Sequence, residues 1–180
     1  MHQFITQQVF EQHLGAIAGA TTSKTLKAAV EPLLAAQGFD RWIYAADNPY
    51  AMIGMPAILS SGLGLWLLTY MAKGYQAVDP VVAHCLVAEE PLLWDSLRGW
   101  QGLPAKGQSL MQDLAAQGIG SGMAVPLRSK GGPQGLLNVV RSGALADELA
   151  HFEAVRPRLV EIGQAMHGSM VRVMKAAAHL

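Results

Sequence analysis

The chain has 180 residues, 13 basic and 13 acidic side chains, and a formal net charge of zero; 51% of its residues are hydrophobic and only 14% charged, against roughly 25% charged in an ordinary soluble domain. This excludes intrinsic disorder, a disulfide scaffold, since Cys85 is the lone cysteine, and a basic nucleic-acid clamp, so this chain alone is expected not to bind DNA. The length predicts a single domain over 1–180, and the apolar surplus needs an outlet: an internal ligand pocket, an oligomer interface or a membrane.

In chain order, the N-terminus lacks the basic, apolar and cleavage-site regions of a secretory signal, so a cytoplasmic location is expected. The sequence predicts instead an amphipathic helix over 3–18, with Phe4, Ile5, Val9, Phe10 and Leu14 on one side. Thr21, Thr22 and Ser23 are N-cap candidates for a second helix running to about Gln37, with Pro32 predicted to kink it and Gly38 placed to end it. Arg41–Ala45 reads as a strand, and Met52–Leu59 as another in which Pro56 argues for an edge or bulge. Residues 48–72 carry no charge and are long enough to span a bilayer, but the prolines, glycines and serines within them favour a strand plus a helix in a dry interior, with no membrane. Residues 63–73 read as a short helix ended by Gly74, and Asp79-Pro80 as an N-cap followed by a first-turn proline. A brief strand over Pro91–Trp94 and a helix over 105–117 follow. Strands Gly122–Leu127 and Gly135–Val140 are joined by a glycine-rich hairpin. From Leu145 the chain is helical, with an interruption predicted near Pro157 and an apolar stripe through Leu159, Ile162, Met166, Met170, Val173 and Ala177. The predicted class is α+β, with a mostly antiparallel sheet covered by helices.

No catalytic constellation stands out, and no histidine pairs with a second metal ligand at a useful spacing except adjacent His84-Cys85, whose side chains diverge on a helix. Cys85 reads as a small core residue. The run Gly118-Ile119-Gly120-Ser121-Gly122 follows a helix and precedes a strand, the reverse of a phosphate loop, and reads as a helix cap with close packing. One group remains: Trp66 and Tyr70, one turn apart, then Tyr75, Asp79 and Trp94. Each aromatic has an apolar body and a polar handle, a set suited to a small, mostly apolar ligand with a polar head. Spacing alone favours ordinary core packing with Asp79 as a helix cap.

Three segments carry a family resemblance: WLLTYMAKGYQAVDPVVAHC, from Trp66 to Cys85; PLLW, ending at Trp94; and GIGSGMAVPL, with Gly118, Gly122 and Pro126. In this order they resemble the autoinducer-binding domain of LuxR-type quorum-sensing transcription regulators, over nearly the whole chain. The resemblance implies an α-β-α sandwich around a five-stranded, mostly antiparallel sheet. It implies a ligand, an acyl-homoserine lactone or a similar signal molecule, between the sheet and one helical layer. It also implies a homodimer, no enzyme activity, no cofactor and no metal. Carried over by position, Trp66 would donate to the lactone carbonyl, Asp79 would accept the amide N–H, and Tyr70 would donate to the amide-side carbonyl. Trp94 would pack on the lactone ring, with Tyr75 in the same aromatic group. Val81 lies where some members place a polar side chain near the amide, and Asn138 where a serine or threonine often meets the acyl carbonyl. Gly122 would be a packing glycine. The stripe from Leu159 to Val173 is the candidate dimer interface, or else packs on its own sheet. Two departures stand out. Gly62 replaces the family's tyrosine four residues before Trp66, which removes one expected wall of the pocket. The chain also stops at Leu180, without the family's helix-turn-helix. The alternatives are a short homologue that pairs with full-length regulators and blocks them, or a different sandwich sensor of GAF or PAS type.

Overall fold

The computed structural model describes residues 5–51, 54–98 and 100–179. Five strands, β1 (Trp42–Ala46), β2 (Ala57–Ser61), β3 (Leu92–Asp95), β4 (Ser121–Arg128) and β5 (Gln134–Arg141), form one sheet in the order β2-β1-β5-β4-β3, and every neighbouring pair is antiparallel. Helices α1 (Gln7–Ala18), α2 (Ser23–Ala36) and α6 (Leu145–Ala177) cover one face, and α3 (Gly64–Ala72), α4 (Pro80–Val87), α5 (Ala105–Ala116) and a 3-10 turn (Tyr75–Ala77) cover the other. The fold is the expected α+β sandwich.

Alternation along the strands divides the two interiors. Trp42, Tyr44, Met123, Val125, Leu127, Leu137 and Val139 face α1, α2 and α6 and are at most 2% exposed. Ile43, Ala124, Leu136 and Val140 face the opposite layer.

Local chemistry explains most boundaries. Thr22 accepts from Thr25 N–H while the Thr25 hydroxyl accepts from Thr22 N–H, closing a capping box at the start of α2. Gly38 and Gly118 take φ +90° and +67° just after α2 and α5, a left-handed conformation that glycine adopts without steric cost. The expected Pro157 break is absent: α6 is one 33-residue helix, about 50 Å long. Pro32 likewise sits inside α2. Both prolines, and the residues four before them whose carbonyls lose a partner, are exposed, so water can take up the freed bond. The strand expected over Met52–Leu59 starts only at Ala57 and runs to Ser61, with Pro56 just outside it. Met52, Ile53 and Phe4, part of the predicted first helix, lie outside the described residues.

Burial decides one open expectation and corrects another. Of the two readings of the α6 stripe, Leu159, Ile162, Met166 and Met170 take the second and pack against the sheet, α1 and α2, while Val173 is half-buried and Ala177 exposed. Residues 48–72 are not uniformly dry: Leu65 and Leu68, on the outer side of α3, are 84% and 69% exposed. No helix among the described residues is long and apolar enough to cross a membrane.

Candidate ligand-binding site

Between the sheet and the α3–α5 layer lies a cavity of ≈ 690 Å³, within the range that small-molecule sites occupy. Of the seven residues singled out in the sequence, Trp66, Tyr70, Asp79, Val81, Trp94 and Asn138 line it. They come from α3, the start of α4, β3 and β5. Tyr75 stands behind them. Its ring stacks on Trp66 at 6.2 Å, and its hydroxyl donates to Asp113 Oδ2 at 2.6 Å, away from the cavity. Lys73 bonds the same carboxylate, which holds Asp113 below the usual carboxylate range and ties α5 to the end of α3.

Asp79 has two bonds. As N-cap of α4 its Oδ1 accepts from Val81 N–H at 2.8 Å, and its Oδ2 accepts from the Tyr70 hydroxyl at 2.9 Å. Burial raises its pKa, and these hydrogen bonds oppose the rise. Tyr70 is pushed well above the ordinary phenol value by burial and by the neighbouring carboxylate. In this arrangement the Tyr70 proton is given to Asp79. Trp94 is also engaged: its indole N–H donates to Asn138 Oδ1 at 2.9 Å, and its ring lies on Gly122. A Cβ on Gly122 would press on the indole, 2.6 Å from Nε1, so this glycine is the packing residue expected.

Gly62 does not open the pocket. It has φ +67°, and a Cβ there would meet Arg41 Cγ and Asp40 O rather than cavity space. The expected missing wall follows from the family's tyrosine at this position, whereas here the position is a left-handed turn between β2 and α3. The cavity wall at this point is Leu63.

Sequence reasoning missed Ile43, Ala45, Ile58, Leu136, Val82 and Leu114, which supply apolar lining. The period-2 pattern of β1 and β5 holds the signal for the strand residues, but it does not say which face is hollow. Cys85 also lines the cavity. Burial pushes its thiol up to about 12, which leaves no thiolate for chemistry. Among the described residues no cluster of three His, Cys, Asp or Glu could hold a metal. The arrangement can grip a guest by hydrogen bonds and apolar contact.

This fold and cavity define a sandwich-type ligand-binding domain. Residues 22–170 match the autoinducer binding domain family, and the chain belongs to it. It is an autoinducer-binding domain of LuxR type, and its homologues are transcriptional regulators. Among curated proteins it is 26% identical over 140 residues to the transcriptional activator protein AnoR of Acinetobacter nosocomialis, covering 76% of this chain and 56% of that protein. It is 30% identical over 92 residues to the transcriptional activator protein PhzR of Pseudomonas fluorescens, covering 51% and 35%. The chain thus spans about half or less of these relatives. Among solved structures, the N-acylhomoserine lactone dependent LuxR family factor CepR2 of Burkholderia cenocepacia shares the fold with a TM-score of 0.76 at 18% identity, over 93% of this chain and 97% of that one. Escherichia coli SdiA follows at 0.70 and 19%, over 92% and 68%.

Proposed function

We propose that the domain is the signal receptor of a quorum-sensing transcription regulator, and that it binds an acyl-homoserine lactone or a closely related acyl signal in this cavity. The observation that carries the reading is the convergence of Trp66, Tyr70, Asp79, Trp94 and Asn138 on one largely apolar space. In this reading Trp66 Nε1–H, which can only donate, meets a carbonyl of the head group. Asp79 has lone pairs left after its two bonds and takes the amide N–H; that donor offsets the cost of a buried carboxylate. The acyl tail lies along Ile43, Ala45, Ile58 and Leu136, where each buried methylene contributes about 0.8 kcal/mol. Occupancy stabilises the fold by mass action.

Native mass spectrometry of the chain expressed with a panel of lactones tests this. The expected result is a retained lactone and a higher melting temperature with it, with Asp79→Asn and Trp66→Phe each weakening binding by about 1–3 kcal/mol. Retention of no member of the panel, with melting temperature unchanged by all of them, would overturn the reading.

A further inference from the structure

The make-up of α3 breaks the rule for a surface helix, which turns apolar residues inward and polar ones to water. Its inner face carries Trp66 and Tyr70, which line the cavity. Its outer face reads Gly64, Leu65, Leu68, Met71 and Ala72, all exposed and none polar. Leu65 is 84%, Leu68 69% and Met71 44% exposed. No residue of α3 is buried, so this apolar helix lies at the surface with one side uncovered by any described residue. The pattern recurs in α4. Val81 and Cys85 are buried there, while Leu86 and Val87 are 52% and 83% exposed. Met71 and Leu86 also line the cavity, so the two outer faces adjoin at its mouth and form one patch.

Area and charge decide what covers this patch. Leu65, Leu68, Met71, Leu86 and Val87 together expose roughly 400 Å² of apolar surface. A standard interface buries roughly 800 Å² per partner, a little over half of it apolar. The patch thus supplies most of the apolar area that one side of a stable dimer needs. Neither helix carries Asp, Glu, Lys or Arg. A twofold contact sets a surface against its own copy, so a charged face repels itself and a neutral one does not. A lipid surface, by contrast, is held by basic side chains beside the apolar face. Here Lys73 is bound to Asp113, and Glu89 and Glu90 follow α4. We infer that the outer face of α3 and α4 is a self-association surface, occupied by the same face of a second copy of this chain. With Met71 and Leu86 in that contact, the second copy also stands over the cavity mouth.

Sedimentation velocity of the 180-residue chain over a range of micromolar concentrations tests this. The expected result is a monomer–dimer equilibrium with a micromolar or tighter dissociation constant. Leu65→Glu combined with Leu68→Glu sets like charges against each other and raises that constant at least about thirtyfold. Both positions are exposed, so the melting temperature of the dilute variant stays that of the dilute parent. Amide hydrogen exchange at low and high concentration needs no substitution, and it decides the matter should the variant fail to fold. Exchange is expected to slow in residues 64–72 and 80–87 on concentrating. A chain that stays monomeric, a dimer that survives the double substitution, or protection confined to other elements overturns the inference. So does capture of the chain by phosphatidylcholine–phosphatidylglycerol vesicles without self-association, which would assign the face to a lipid surface.

Discussion

Gly122→Ala puts the packing under the cavity to a direct test. The new Cβ would sit 2.6 Å from Trp94 Nε1, nearly 1 Å inside an ordinary carbon–nitrogen contact. The neighbour is a ring held in a dry site rather than the free end of a flexible chain, so it has to move as a body. Overpacking of this kind costs about 1–3 kcal/mol, and displacing the indole also breaks its bond to Asn138, worth about 1 kcal/mol. Gly122 does not have a positive φ, so alanine recovers about 0.5 kcal/mol through the unfolded chain. The expected net loss is about 2 kcal/mol, or a melting temperature lower by about 4–8 °C for a domain of this size. Urea unfolding followed by circular dichroism measures it. Trp94→Phe in the same chain removes the atoms that collide and should restore at least half of the loss. An alanine variant as stable as the parent, or a double variant no better than the single, would refute the packing argument.

Two further outcomes follow from buried ionisable groups. Burial holds Asp79 above its ordinary value of 3.8, so the folded chain keeps this proton longer than the unfolded one. Its contribution to stability is greatest below that value and falls as pH rises through the raised one. Asp79→Asn, which retains an N-cap, should flatten the stability profile there and cost the empty protein less than about 1 kcal/mol, as read from unfolding at several pH values. His167 shows the opposite sign. Its Nδ1 pairs with the Tyr44 hydroxyl at 2.8 Å and its Nε2 donates to Pro133 O at 3.0 Å, and burial holds its pKa below the ordinary 6.5. The unfolded chain then takes up a proton first, so stability present above pH 6.5 is lost as pH falls toward the lowered value. His167→Leu should remove part of this acid sensitivity while costing about 2 kcal/mol or more at neutral pH, since it strands the Tyr44 hydroxyl and the Pro133 carbonyl. An unchanged acid profile in that variant would refute the assignment.

The sequence announces elements through short-range chemistry. Thr22, Asp79-Pro80, Gly38 and Gly118 act within a turn of themselves, and they mark the ends of α2, α4 and α5 where expected. It is less informative where a long-range partner decides. Pro157 breaks an isolated helix, but here the side of α6 facing the sheet is fully packed and the freed carbonyl faces water, so the helix continues. The α6 stripe reads equally as an interface or as core, since periodicity says only that a face is apolar and not what covers it. Six of the seven expected residues line the cavity: the family-like spacing orders Trp66, Tyr70, Asp79 and Trp94 along the chain, and the resemblance adds Val81 and Asn138 by position. Tyr75 shares that spacing, but Asp113, 38 residues away, turns its hydroxyl outward. Gly62 misled for a related reason: a left-handed turn redirects the Cβ, and a pattern of letters does not record φ.

The alternation of β1 and β5 has a further consequence. Trp42, Tyr44, Leu137 and Val139 hold the molecule together, while their immediate neighbours Ile43, Ala45, Leu136 and Asn138 border a hollow. The two sets face opposite sides of the sheet, although both are carried on the same few residues of backbone. Changes to the lining of the hollow are thus separated, residue by residue, from the larger core on the other face of the same strands.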